Sequence, residues 1–387
     1  MPIVFVHGVA QRNQKQFGEG VEVFLREYVA PRLNAANPES VAVLNAYWGR
    51  LGAAYAWDGL AVPAPFARQM GAADNDLQIA ASIADVPTMV KAGDAEAAIV
   101  ADVLLSTAPT AAIDPLYSLT PEVAARIIEK DESQTDAAGE SLTAVSQGVI
   151  LDQISDAIQE GVDRFKGSPG MLLSRVLTLA RGPINASVTR FLGDIFVYLN
   201  GRTKGRSMTE EQRGDTEGEP GAIPQAVLDV LWDAANTAPN EPLIVLSHSM
   251  GGQLMYDIVT YFLPNLKKSN PGKWDRVKVS FWGAAACQVG LFEEMKLFKI
   301  SSDKYSAAQH NKVPGPAEDL VGYWWSVWDP NDFLSYRTQG IFERVDDFMF
   351  NGGASVLAAH GAYLVRPSFY KKLAGLVDQH CGDHAAN

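Results

Sequence analysis

The sequence predicts an α/β protein, with a mainly parallel sheet flanked by helices and a large helical insertion. Three observations carry this. Short apolar runs such as Ile3–Val6 and Leu243–Leu246 suit strands buried on both faces. They alternate with segments whose apolar residues step by threes and fours, the pattern of strands joined by crossover helices. From about Asp58 to Gly221 the strand-like runs stop and Ala-rich helical spacing takes over. The core is therefore expected from residues 1–57 and 222–387, with 58–221 as an inserted helical domain.

Pro2–Val6 reads as a first buried strand, closed by the turn His7-Gly8-Val9. Gly20–Leu33 carries Val21, Phe24, Leu25, Tyr28 and Val29 on one helical face, and Val41–Trp48 follows as a strand. In the insertion, Thr120-Pro121-Glu122 is a helix start: a capping hydroxyl, a proline at the first helical position and an early acid. Leu142 to Phe165 and Met171 to Ala180 give two further amphipathic helices. Arg202–Gly221, rich in Gly, Glu and Arg without periodicity, reads as an exposed, mobile loop. Ala222–Ala235 is a helix, Leu243–Leu246 a strand and Met250–Phe262 a helix. Val277–Trp282, Tyr323–Trp328 and Val345–Phe350 are strands, and Phe369–Val377 is a closing helix.

A net charge of −13 argues against nucleic acid and against adsorption to anionic lipid. Two cysteines, Cys287 and Cys381, form neither a disulfide framework nor a metal site. There is no charged leader before Ile3 and no uncharged apolar run long enough to span a bilayer, so a cytoplasmic protein without a transmembrane segment is expected. Oligomeric state is not legible.

The chain is organised around Pro242–Gly252, P-L-I-V-L-S-H-S-M-G-G. Strand, tight turn and helix succeed one another there, which is the setting of a nucleophile elbow with Ser249 at its apex. Gly251 and Gly252 leave room where strand and helix pass closely. The stretch resembles the S-M-G-G elbow of α/β-hydrolase esterases and lipases, and the strand–helix–strand start ending in Tyr-Trp-Gly is similar to bacterial hydrolases of that superfamily. One departure stands: the usual G-x-S-x-G is here S-x-S-x-G, with Ser247 at the first small position. The superfamily's usual first two strands are also missing before Ile3.

The resemblance implies an α/β-hydrolase sheet, a helical cap or lid formed by 58–221 and a Ser-Asp-His triad. The order nucleophile, acid, histidine puts the acid after Tyr323–Trp328, where Asp329 and Asp332 compete. Asp332, followed by Phe-Leu-Ser, is preferred; Asp329 sits at the strand end and could cap the turn. Of six histidines, His7 and His248 fall in the two turns, His310 precedes the acid, and His380 and His384 lie in a polar tail. His360 is left, in Ala-His-Gly-Ala-Tyr, with an aromatic soon after it. The oxyanion donors implied are the backbone N–H groups of Val9 and Met250. The expected function is hydrolysis of a small-molecule or lipid carboxylic ester, without metal or organic cofactor. Thioester hydrolysis and acyl transfer use the same constellation, and a binding or receptor module on an unused hydrolase fold is the reading from another class.

Overall fold

The computed structural model describes residues 1–9, 14–56, 121–133, 189, 191–203, 219–352 and 359–382. Six strands form one sheet: β1 (Ile3–Val6), β2 (Val43–Ala46), β3 (Leu243–His248), β4 (Val279–Ala285), β5 (Val321–Trp328) and β6 (Asp346–Met349). The order is β2-β1-β3-β4-β5-β6, and every neighbouring pair is parallel. The expected α/β architecture with a parallel sheet is present. Among the described residues no helix is long and apolar enough to cross a membrane.

Alternation along the strands explains the apolar runs. Val4, Val6 and Val245 face one core, while Ile3, Phe5, Ile244 and Leu246 face the other. A strand with both faces covered has no polar side, so its sequence reads as continuous hydrophobicity. The first core is closed by helices α3 (Ala222–Thr237) and α4 (Gly251–Asp257), through Val227, Leu228, Leu231, Leu254 and Tyr256. The second is closed by α1 (Gln14–Phe24) and α7 (Pro367–Cys381), where Phe24 stacks on Tyr370 at 4.8 Å. α4 runs on through a π turn, Ile258–Phe262, into Leu263–Ser269.

Several bounds differ from expectation for physical reasons. β4 extends past Trp282 to Ala285, because Gly283, Ala284 and Ala285 continue the parallel backbone pairing with β3 and β5. The helix expected from Gly20 begins at Gln14 and reaches Leu33 through a π turn at Leu25–Val29.

Most of 58–221 lies outside the described residues, including the helices expected at Leu142–Phe165 and Met171–Ala180. Two described pieces of it join the core. Helix α2 (Pro121–Ser133) buries Ala124 and Ile128 in the same cluster as Val21 and Phe24. Tyr28 donates to Asp131 at 2.9 Å, and Lys371 of α7 pairs with the same carboxylate. This helix therefore belongs to the layer of α1 and α7. Residues 191–201 are also helical, and Tyr198 is fully buried in the first core.

The loop expected from Arg202 to Gly221 is tied down at both ends, which corrects its start and finish. Arg202 donates to Asp257 at 2.9 Å and to the Leu297 carbonyl at 2.7 Å. Gly221 N–H donates to the Arg202 carbonyl at 2.8 Å, and Thr203 pairs with Pro220. Residues 204–218 between them lie outside the described set. Asp257 also accepts from Tyr198 at 2.6 Å and from Lys299 N–H at 3.0 Å. Burial pushes this carboxyl up, and the Arg202 guanidinium opposes that push.

Candidate active site

The C-terminal ends of the central strands are where crossover loops can bring distant residues together in a parallel sheet. β3 ends at His248, and the next residue, Ser249, has φ of 54°, a left-handed conformation that costs a residue with a Cβ about 1–2 kcal/mol. Neighbours hold it there. Ser249 N–H donates to the Ala285 carbonyl of β4 at 2.9 Å, and Gly252 N–H returns to the Ser249 carbonyl at 3.0 Å. A Cβ on Gly251 would lie 2.3 Å from the Val6 carbonyl oxygen, and one on Gly252 2.4 Å from Cys287 Sγ. Both glycines are required by this close passage of helix over strand.

The Ser249 hydroxyl lies 2.8 Å from His360 Nε2, and His360 Nδ1 lies 3.0 Å from each oxygen of Asp332. The carboxylate accepts from Nδ1–H, which leaves Nε2 as the acceptor facing the serine hydroxyl. His360 belongs to a short helix, α6 (Ala359–Ala362), and Asp332 to the turn after β5. Asp332 and His360 lie 83 and 111 positions from Ser249 in sequence, and the three converge only through the sheet order.

Further contacts hold Asp332 in place. Leu334 N–H donates to Oδ1 at 2.9 Å, Ser335 N–H to its carbonyl at 3.1 Å, and the Tyr363 hydroxyl to Oδ2 at 3.3 Å. Burial raises the Asp332 carboxyl, but His360 and the Leu334 N–H outweigh it and hold the group below its ordinary value. Asp329, the competing candidate, turns elsewhere. Its Oδ1 accepts from Asn331 N–H at 2.8 Å and its Oδ2 from Gly352 N–H at 2.6 Å, so it caps the turn and ties β5 to the segment after β6.

Gly8 packs directly on the serine: an added Cβ would sit 2.6 Å from Ser249 Cβ and 3.1 Å from its hydroxyl. Val9, the next residue, is half-buried, and Met250 is the fully buried residue that opens α4. The Gly8 turn is held by His7. Trp48 N–H donates to His7 Nε2 at 3.1 Å, so the ring proton is on Nδ1, which donates to the Gly8 carbonyl at 2.6 Å. The Trp48 indole donates to the His7 carbonyl at 3.0 Å and stacks on its ring at 5.0 Å.

His248 also has a place that sequence reasoning missed. Its side chain is buried, and Nε2–H donates to the His360 carbonyl at 2.7 Å. Burial, and then the neighbouring His360, lower its pKa to about 3, so the ring is neutral at physiological pH. Ser247, at the position where glycine is usual, points to the opposite side. Its hydroxyl accepts from the Trp282 indole at 2.8 Å, and that indole stacks on Trp324 at 4.7 Å. Beside it, burial pushes the Cys287 thiol up to about 12, which keeps it protonated and inert.

The sequence places His248 in the elbow turn and Gln253 on the elbow helix, but it carried no signal for the contact of His248 with the His360 carbonyl or for the pairing of Gln253 with Gln288, which arise between segments distant in sequence. Among the described residues no group of three or more His, Cys, Asp or Glu side chains is arranged to hold a metal ion. No protein-family model, curated protein or solved structure matches the chain.

Proposed function

We propose that the protein is a serine hydrolase of the α/β-hydrolase type that cleaves carboxylic esters through an acyl-Ser249 intermediate. The observation that carries the proposal is the unbroken chain from Ser249 Oγ through His360 to Asp332, with each link at 2.8–3.0 Å. An alcohol is a weak nucleophile at neutral pH and needs a base within hydrogen-bond reach. His360 Nε2 takes the serine proton as the hydroxyl attacks the acyl carbon, and Asp332 fixes the tautomer and stabilises the imidazolium. The lowered Asp332 pKa suits that role, since the carboxylate stays charged at neutral pH. His248, 5.0 Å away ring to ring, stays neutral and so adds no repulsion when His360 becomes charged.

The tetrahedral oxyanion is assigned to the backbone N–H groups of Val9 and Met250, each donor worth about 3 kcal/mol to the transition state. Gly8 supports this assignment because any larger residue would displace either the serine or the Val9 turn. His360 then protonates the leaving alcohol, and water hydrolyses the acyl-serine by the same steps in reverse. Thioesters as acyl donors, and acyl acceptors other than water, pass through the same intermediate, so the donor and the acceptor are the open part of the proposal. Hydrolysis of a series of p-nitrophenyl acyl esters by the wild type, Ser249→Ala and His360→Ala tests it. Turnover that falls to background in both variants supports the proposal, and equal turnover in all three overturns it.

A further inference from the structure

Ser249 and Asp332 approach His360 from different elements, so something must fix the distance between the elbow helix and the acid turn. Gln253 lies on α4, one turn beyond Ser249, and Gln288 lies in the turn between β4 and α5 (Val289–Glu294). Both are buried, at 0% and 2% exposure, where an amide left without hydrogen-bond partners is destabilising. Every side-chain polar function of the pair has a partner. Gln253 Nε2 donates to Gln288 Oε1, and Gln288 N–H donates back to Gln253 Oε1 at 3.3 Å. Gln288 Nε2 donates to the Ala286 carbonyl at 2.9 Å and to the Leu334 carbonyl. Leu334 is the residue whose own N–H holds Asp332 Oδ1.

We infer that Gln253 and Gln288 are positioning residues, a relay that sets the Asp332 carboxylate against His360 from the helix that follows Ser249. The inference rests on the proposed roles of Ser249, His360 and Asp332, and on one geometric fact in addition: the relay binds the carbonyl of Leu334, the residue whose N–H holds the acid. Cys287 reinforces it from the backbone, since its carbonyl accepts from Tyr336 N–H at 3.1 Å. Buried, fully satisfied amides of this kind act as rigid braces, and loss of one member leaves the other unpaired. A displacement of the carboxylate by about 1 Å costs up to roughly a hundredfold in rate.

The test is Gln288→Met, which keeps the side-chain length and removes all its hydrogen bonds, beside Gln253→Met and the double variant. With an ester substrate, kcat should fall roughly ten- to a hundredfold in Gln288→Met, with KM unchanged. Gln253→Met should act in the same direction, and the double variant should be no slower than Gln288→Met, because both act by one route. The proton NMR signal of His360 Nδ1–H should shift upfield or vanish in both single variants. That signal reports the Asp332–His360 bond without turnover, so it tests the relay even if the wild type cleaves no ester, a result that would remove the proposed function instead. If Gln288→Met does not fold, Gln253→Met, which leaves both Gln288 bonds to the loops in place, gives the same readouts. Folded variants of lower melting temperature with wild-type kcat and an unmoved Nδ1–H signal would overturn the relay and leave the pair as a packing feature.

Discussion

His248 makes stability depend on pH in a way that can be worked out in advance. In the unfolded chain its imidazole takes a proton near pH 6.5, whereas in the folded protein burial holds its pKa at about 3. Between those values the unfolded state binds one more proton than the folded state, so stability rises with pH and is lost as pH falls below 6.5. The slope approaches about 1.4 kcal/mol per pH unit, which gives a loss of ~2 kcal/mol at pH 5 from this residue alone. His248→Gln removes the titration and retains an amide N–H that can face the His360 carbonyl. Urea unfolding of both proteins at pH 7, 6 and 5, analysed by linear extrapolation, isolates the effect because the other titrating groups are common to both. The wild type should lose about 2 kcal/mol more than His248→Gln between pH 7 and pH 5. Parallel curves, agreeing within about 0.5 kcal/mol at all three pH values, would refute the reasoning by placing His248 in contact with solvent.

Three other perturbations separate neighbouring roles. Ser247→Ala removes the acceptor of the buried Trp282 indole and should cost about 1–3 kcal/mol of stability with Ser249 reactivity retained; unchanged unfolding free energy would contradict this. Gly8→Ala places a methyl group 2.6 Å from Ser249 Cβ, so ester turnover should collapse while stability drops by only about 1–3 kcal/mol; wild-type turnover would show that the turn yields freely. Asp332→Asn should lower kcat by about 10⁴, whereas Asp329→Asn should chiefly lower stability, by about 1.5–3 kcal/mol for its hydrogen bonds to Asn331 and Gly352. The opposite ranking in parallel assays would move the acid to Asp329.

The parallel sheet was legible because its strands are buried on both faces, which leaves runs such as Leu243–Leu246 without polar interruption. Ser249, Asp332 and His360 could be singled out because the elbow has a local pattern and the chain order restricts the other two. Ser247 looked like a simple departure from the usual glycine. Its purpose, an acceptor for Trp282, needs the register of β3 against β4, which no local pattern encodes. His248 and Gln288 were illegible for the same reason, since their partners lie 112 and 46 residues away. The Arg202 end of the predicted loop was misread because a run of glycine and charge resembles exposed chain. One of those charges, Arg202, is instead the partner of a buried carboxylate, Asp257, on the helix expected at Met250–Phe262, and nothing local to either segment encodes that pairing.

The central claim is that Ser249 is a nucleophile activated by His360, and covalent labelling with a fluorophosphonate tests it most directly. The probe requires an activated serine but no knowledge of the natural acyl group. The protein should gain one phosphonyl adduct, and mass spectrometry of its peptides should place the adduct on Ser249, with Ser247 unmodified. Labelling should vanish in Ser249→Ala and fall steeply in His360→Ala. No adduct on the folded wild type, or equal labelling of wild type and Ser249→Ala, would contradict the account.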